Sequence, residues 1–143
     1  MKKKLFVLML VLGISITSLG AIKVFAIHPP DANYKDTSFH FGFLKGNPYD
    51  ETKQRDKYRT TYVYQKVEDV NISYKSWVKA KGKDASRGHI YTVKSKGVVL
   101  MTNWAVEDHK GWWADYVPTS IAAKKDGKGH SNGVWSPDYD KNS

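Results

Sequence analysis

Cysteine is absent from all 143 residues. No disulfide can staple the fold, no thiolate can act as nucleophile or metal ligand, and no lipid can be attached through a cysteine near the N-terminus. Small exported domains often rely on disulfides because their cores are small. Packing alone must hold this one. The chain also lacks a phosphate-cradling glycine loop and a His-Glu-x-x-His pair. Those absences remove the usual marks of nucleotide binding and zinc hydrolysis. We therefore expect no enzyme activity and no cofactor. Internal repeats, low-complexity tracts and any sustained helical period are missing as well.

What is present begins with the N-terminus. Lys2, Lys3 and Lys4 precede an uncharged apolar run from Leu5 to Leu19, and Val24-Phe25-Ala26 ends in compact residues. This three-part layout is that of a secretory signal peptide. The apolar run falls short of the ~20 residues that a spanning helix needs. Residues 1–26 are thus expected to form a signal-peptide helix, residues 27–37 a flexible lead-in rich in Pro, Asp and Asn, and residues 38–143 the folded domain. The expected location is extracellular, free or loosely held by the cell wall. The tail Asp138-Tyr139-Asp140-Lys141-Asn142-Ser143 carries no sorting motif and reads as polar and solvated. It mimics only the opening of a calcium loop.

Four of the 23 basic residues (Lys2, Lys3, Lys4, Lys23) and none of the 14 acids fall in that signal segment, so residues 27–143 carry +5 rather than the +9 of the full chain. The bias is mild and dispersed. A nucleic-acid binder concentrates its charge more sharply, whereas anionic cell-wall polymers or a membrane surface suit this pattern.

Period-2 alternation dominates the rest. Phe39-His40-Phe41-Gly42-Phe43 alternates strictly. Tyr58 to Val67 places Tyr58, Thr60, Tyr62 and Tyr64 on one face and Arg59, Thr61, Val63 and Gln65 on the other. Val70 to Val78 sets Val70, Ile72, Tyr74 and Val78 against Asn71, Ser73, Lys75 and Trp77. The charged stretch 51–57 reads as loop. His89–Lys94 and Val98–Ala105 suggest a hairpin closed at Ser95-Lys96-Gly97, with the second strand central because Val98-Val99-Leu100-Met101 is apolar on both faces. Glu107 to Gly111 reads as a solvated hairpin loop, Trp112–Val117 as a strand stopped by Pro118, Ser120–Ala123 as a short strand, and Ser131–Ser136 as the last one. Trp104 and Trp135 are expected in the core. Short strands spaced by turns predict an all-β fold, a single antiparallel β-sandwich of roughly seven to eight strands.

The histidines are too scattered for a metal site, and none is expected. The candidate binding surface is an alternation on one strand face, Lys75, Trp77, Lys79 and Lys81, where three lysines and an indole would form one stripe. Adjacent Trp112 and Trp113 must face opposite ways on a strand, which leaves one of them outward.

The Phe39–Phe43 strand, the Tyr58-Arg59-Thr60-Thr61 segment, Gly133-x-Trp135 and the acidic Asp138, behind a cysteine-free signal peptide, resemble a family of small secreted proteins of Gram-positive bacteria classed as a domain of unknown function. That resemblance runs over residues 38–140 and implies a secreted β-rich domain with no assigned activity. The aromatic-Leu-Gly strand of that family has no counterpart within residues 75–105. A second likeness, at Ser73-Tyr74, His89, Val93-Lys94 and Trp104-Ala105, is to lactococcin-type bacteriocins. It implies the alternative of an antimicrobial acting on the envelope of other bacteria. The main expectation is a non-enzymatic binding or structural module of the cell envelope.

Overall fold

The computed structural model describes residues 32–141. The expected signal segment 1–26 and its cleavage point before Ile27 lie outside the described residues. The described chain forms ten strands and one short helix: β1 Thr37–Phe43, β2 Tyr49–Glu51, β3 Arg55–Lys57, β4 Val63–Val70, β5 Tyr74–Ala80, β6 Lys83–Asp84, β7 Tyr91–Val93, β8 Gly97–Met101, α1 Ala105–His109, β9 Val117–Lys124 and β10 Gly129–Ser136. All pairings between these strands are antiparallel. They build a four-stranded sheet in the order β1-β10-β4-β8 and a six-stranded sheet in the order β2-β9-β5-β6, with β3 also on β9 and β7 also on β5. The two sheets pack as the expected sandwich.

Alternation in the sequence becomes burial in the fold. Phe39, Phe41 and Phe43 all point inward from β1, and their rings run in series at 4.8 and 6.4 Å. Tyr74 of the facing sheet closes on Phe41 and Phe43 at 5.9 and 5.3 Å. Each such side chain removed from water contributes about 1.5–3 kcal/mol. On β4 the inward face is the one bearing Val63, Gln65 and Val67. Trp135 is buried as expected, 1% exposed.

Several sequence expectations are corrected. β7 and β8 form no hairpin: β7 pairs with β5 in one sheet and β8 with β4 in the other. Nor is β8 central. It edges its sheet and leaves Val98 exposed. The stretch 51–57 is loop only at residues 52–54. Glu51 ends β2 and Arg55–Lys57 is β3, both along one edge of β9, and charge hid them because Lys57 points inward. Tyr58–Tyr62 lies in no strand, and Glu107–His109 lies in α1 rather than in a loop. Pro118 does not stop a strand but sits near the start of β9, whose residues 119–123 are fully buried. A run of Ser, Ile and Ala there is compact because it is central. Trp104 is half-buried, outside the core. The strand ends at Met101, Trp104 N–H donates to the Ala85 carbonyl at 2.8 Å, and the indole packs between the His89 ring and the Arg87 guanidinium, at 5.1 and 4.9 Å.

β10 carries a bulge between Asn132 and Gly133. A Cβ added at Gly133 would lie 1.9 Å from the Lys66 carbonyl oxygen. That atom belongs to the backbone of the neighbouring strand and cannot step aside. Gly133→Ala is therefore expected to cost about 1–3 kcal/mol by forced displacement of the β10–β4 pair. A urea midpoint unchanged from wild type would show that the strands open without penalty.

Candidate functional site

The candidate stripe sits on the outer face of the six-stranded sheet. On β5, Tyr74, Ser76, Val78 and Ala80 go inward, so Lys75, Trp77 and Lys79 go outward together. Lys81 does not continue the row. It has φ 49 and, with Gly82 at φ 76, forms the two-residue turn joining β5 to β6. Positive φ at both central positions is what a tight hairpin turn of this twist requires. Six residues of extended chain also set Lys81 about 20 Å from Lys75.

The three shared positions have different surroundings. Lys79 is committed. Its Nζ donates to Glu51 Oε2 at 2.6 Å and to the Tyr49 hydroxyl at 2.9 Å, and it lies 5.4 Å from the Tyr49 ring centre. Ser120 Oγ donates to the other Glu51 oxygen at 2.6 Å. Partial burial pushes the Glu51 carboxyl up, but hydrogen bonds from Lys79, Ser120 and Tyr49 outweigh it and hold its pKa below the ordinary value. Trp77 is half-buried. Opposite it in register stands Ala122 on β9, and the Tyr49 ring approaches from beyond, with centroids 6.2 Å apart. The small Ala122, fully buried on an outer face, leaves the space that the two rings cover.

Lys75 is the exposed member. Its hydrogen-bond partner is Thr92 Oγ1, at 2.5 Å. Directly across the ladder stands Lys124, also exposed. Neither ammonium forms an ion pair among the described residues. Lys125 follows Lys124, and Lys94 follows Val93, the register partner of Tyr74. One end of this sheet is therefore basic, and Asp126 is the acid beside it in sequence. Sequence reading missed Lys124 because its strand was placed without a register. The row Tyr49↔Lys124↔Lys75↔Thr92 exists only once β2, β9, β5 and β7 are paired.

Other clusters offer less chemistry. A cleft of about 490 Å³ is lined by Thr60, Tyr62, Asn103, Trp104, Glu107 and Tyr139, among others. Glu107 is the one carboxylate lining it, beside Tyr139 and Lys141, and no histidine or serine joins it there. Asp108 is held by Arg87 through two hydrogen bonds. On the outer face of the other sheet, the rings of His40 and His130 stack at 6.5 Å, and His130 Nε2 meets Asp69 Oδ2 at 2.8 Å. No group of three His, Cys, Asp or Glu among the described residues could hold a metal ion. No helix among them is long and apolar enough to cross a membrane.

Asp138, the first residue of the tail expected to be solvated, is instead a buried hub. Asp138 and Lys57 are both fully buried and pair at 3.1 Å. Asp138 also accepts the backbone N–H groups of Asn33, Tyr58 and Arg59 and the Thr61 hydroxyl. Lys57 Nζ donates in addition to the carbonyls of Thr61 and Pro137, at 2.7 and 2.6 Å. Asn33, within the lead-in, is further fixed by its amide on the Asp56 carbonyl. Burial pulls the Lys57 ammonium below its ordinary pKa against the opposing field of Asp138. For Asp138 burial pushes upward, but Lys57 and the backbone donors win, and its carboxyl is held below the usual range.

No curated protein and no solved structure matches the chain, so neither comparison bears on the lactococcin likeness. The family described as "protein of unknown function (DUF2712)" matches residues 22–139, and the chain belongs to it.

Proposed function

We propose that this chain is an exported, non-enzymatic module of the cell envelope, and that the basic end of its six-stranded sheet takes the phosphate or carboxylate groups of an anionic wall polymer. One observation carries the reading: Lys75 and Lys124 stand directly opposite each other on an exposed face without a carboxylate partner. Like charges at facing positions destabilise a sheet. A fold indifferent to this surface would place an acid at one of them, as it does at Lys79 with Glu51. Lys125 and Lys94 add charge at the same end. The adjoining indole of Trp77 offers an apolar edge beside it. The signal-like N-terminus and the +5 balance of residues 27–143 support export toward an anionic surface.

Sedimentation of the purified protein with isolated cell walls tests this. Bound protein should fall as salt rises, since screening weakens such contacts. Lys75→Gln and Lys124→Gln should each weaken binding roughly fivefold, the effect of ~1 kcal/mol per lysine near an anionic surface. Lys66→Gln, on the other sheet and already paired with Glu68, should leave binding as it was. Salt-independent binding, or full binding by the Lys75/Lys124 double variant, would eliminate this face.

A further inference from the structure

We propose that the turn carrying Trp112 and Trp113 is a bilayer-interface anchor, which seats both indoles at the headgroup level of a lipid membrane. The segment expected as a strand is a tight turn: Ala114 N–H donates to the Gly111 carbonyl at 3.0 Å, which puts the two tryptophans at its central positions. They are 93% and 74% exposed. Turn centres ordinarily carry Gly, Pro, Asn, Asp or Ser, which supply backbone angles or local hydrogen bonds. Two indoles supply neither. Nothing in the core requires them, and two large apolar rings in water are a solubility liability.

The rings contact each other, and one of them contacts the turn. Their planes stand at 88° with centroids 5.6 Å apart. Trp113 rests over Gly111, where an added Cβ would lie 3.1 Å from the ring. A preset turn loses little freedom on docking. Tyr116, also exposed, continues the apolar edge and meets the Tyr58 ring at 5.8 Å. Lys110 adjoins the turn in sequence. Lys81 N–H donates to the Pro118 carbonyl at 2.8 Å, which brings the exposed Lys81 and Lys83 to the same end of the sheet. Asp84 and Asp115 share this rim, and Asp56 is the register partner of Pro118, so the rim is mixed in charge.

Geometry selects the partner. A sugar ring stacks on one flat aromatic face flanked by hydrogen-bonding side chains, and these rings are perpendicular at a convex tip. A folded protein partner would need a pocket matching that tip. Lipid headgroups conform to a convex wedge, and tryptophan, with an apolar body and one N–H, favours that depth. The site is also separate from the wall-polymer face. Trp112 and Trp113 precede β9 and Lys124 ends it, and eight strand residues span about 23 Å. The two proposals therefore stand or fall independently.

The test uses vesicles of equal parts phosphatidylglycerol and phosphatidylcholine, with and without brominated acyl chains. The protein should cosediment with them at high as well as low salt. Its tryptophan emission should shift to the blue and be quenched by the bromines. Trp112→Ser combined with Trp113→Ser touches only exposed side chains and should keep the unfolding midpoint. It should lower vesicle partition by at least about tenfold, because interfacial binding scales with buried apolar area, and should abolish both the blue shift and the quenching. Failure of the wild-type protein to cosediment would overturn the proposal. So would equal binding by the double variant, or binding that vanishes in salt and shows no bromine quenching. Wall binding through Lys75 and Lys124 should be unaffected by the double variant.

Discussion

Replacing Asp138 by alanine is expected to lower stability by about 3–5 kcal/mol, the range for removing one partner of a buried ion pair. The loss goes beyond the pair. The Lys57 ammonium would remain buried with only the Thr61 and Pro137 carbonyls as strong acceptors, and the N–H groups of Asn33, Tyr58 and Arg59 would lose their carboxylate. Lys57→Met should cost less. It leaves Asp138 with those three N–H donors and the Thr61 hydroxyl, while its apolar stem still packs. Equal losses would show that the pair, rather than the backbone clamp, dominates. The dependence on pH has a definite sign. Asp138 titrates lower when folded than when unfolded, so its contribution is complete above the ordinary aspartate value of about 3.9 and fades as pH falls through the folded value. Urea midpoints of wild type and Asp138→Ala should differ most near neutrality and converge in acid. A gap that widens on acidification would contradict the network.

Trp135→Ala should cost about 3–5 kcal/mol, as truncation of a large aromatic in a core does. Trp135 sits on β10, between β1 and β4 in the sheet order, and is almost wholly covered. The Arg55 guanidinium lies 5.3 Å from its ring centre and also donates to its backbone carbonyl at 3.0 Å. The backbone contact survives truncation, so the measured loss reports the indole. Trp104→Ala is the internal comparison. Its ring is half-buried between Arg87 and His89, and its loss should be clearly smaller. Calorimetry or urea unfolding of both variants ranks them, and the reverse order would place Trp104 rather than Trp135 in the core.

Alternation made the fold class legible. Phe39 to Phe43 shows its inward face in sequence because His40 and Gly42 alternate with the phenylalanines, and Tyr74 to Ala80 does so because Lys75 and Lys79 mark the outward side that Trp77 shares. Sheet membership was not legible. Ser95-Lys96-Gly97 has good turn chemistry, yet the strands on either side of it belong to different sheets, and local composition does not encode which partner a strand selects. β9 was underestimated because Ser120, Ala122 and Ala123 are small, and their burial comes from position rather than hydrophobicity. Lys57 and Asp138 looked like surface residues, since a charge buried by pairing with another residue 81 positions away leaves no local mark. Of the candidate surface, the shared side of Lys75, Trp77 and Lys79 was readable from parity. The neutralisation of Lys79 by Glu51 and the facing Lys124 needed the register. The tryptophan pair was visible, but assigning it to a strand split it across two faces, whereas a turn points both rings outward.

The order of strands has a consequence for when this chain can fold. β1, the first strand described, pairs with β10, the last, and the Asp138 hub ties Asn33 and Tyr58 to the residues just after β10. An emerging chain therefore cannot complete its N-terminal sheet until β10 has been made, and such long-range closure is slow. For a protein exported as proposed above, this delay is useful. The precursor stays threadable while it is still crossing, and the stable sandwich forms only when the C-terminal strand arrives on the far side. Removing residues from Gly129 onward should consequently leave a chain that is translocated as readily as the whole but is degraded soon after.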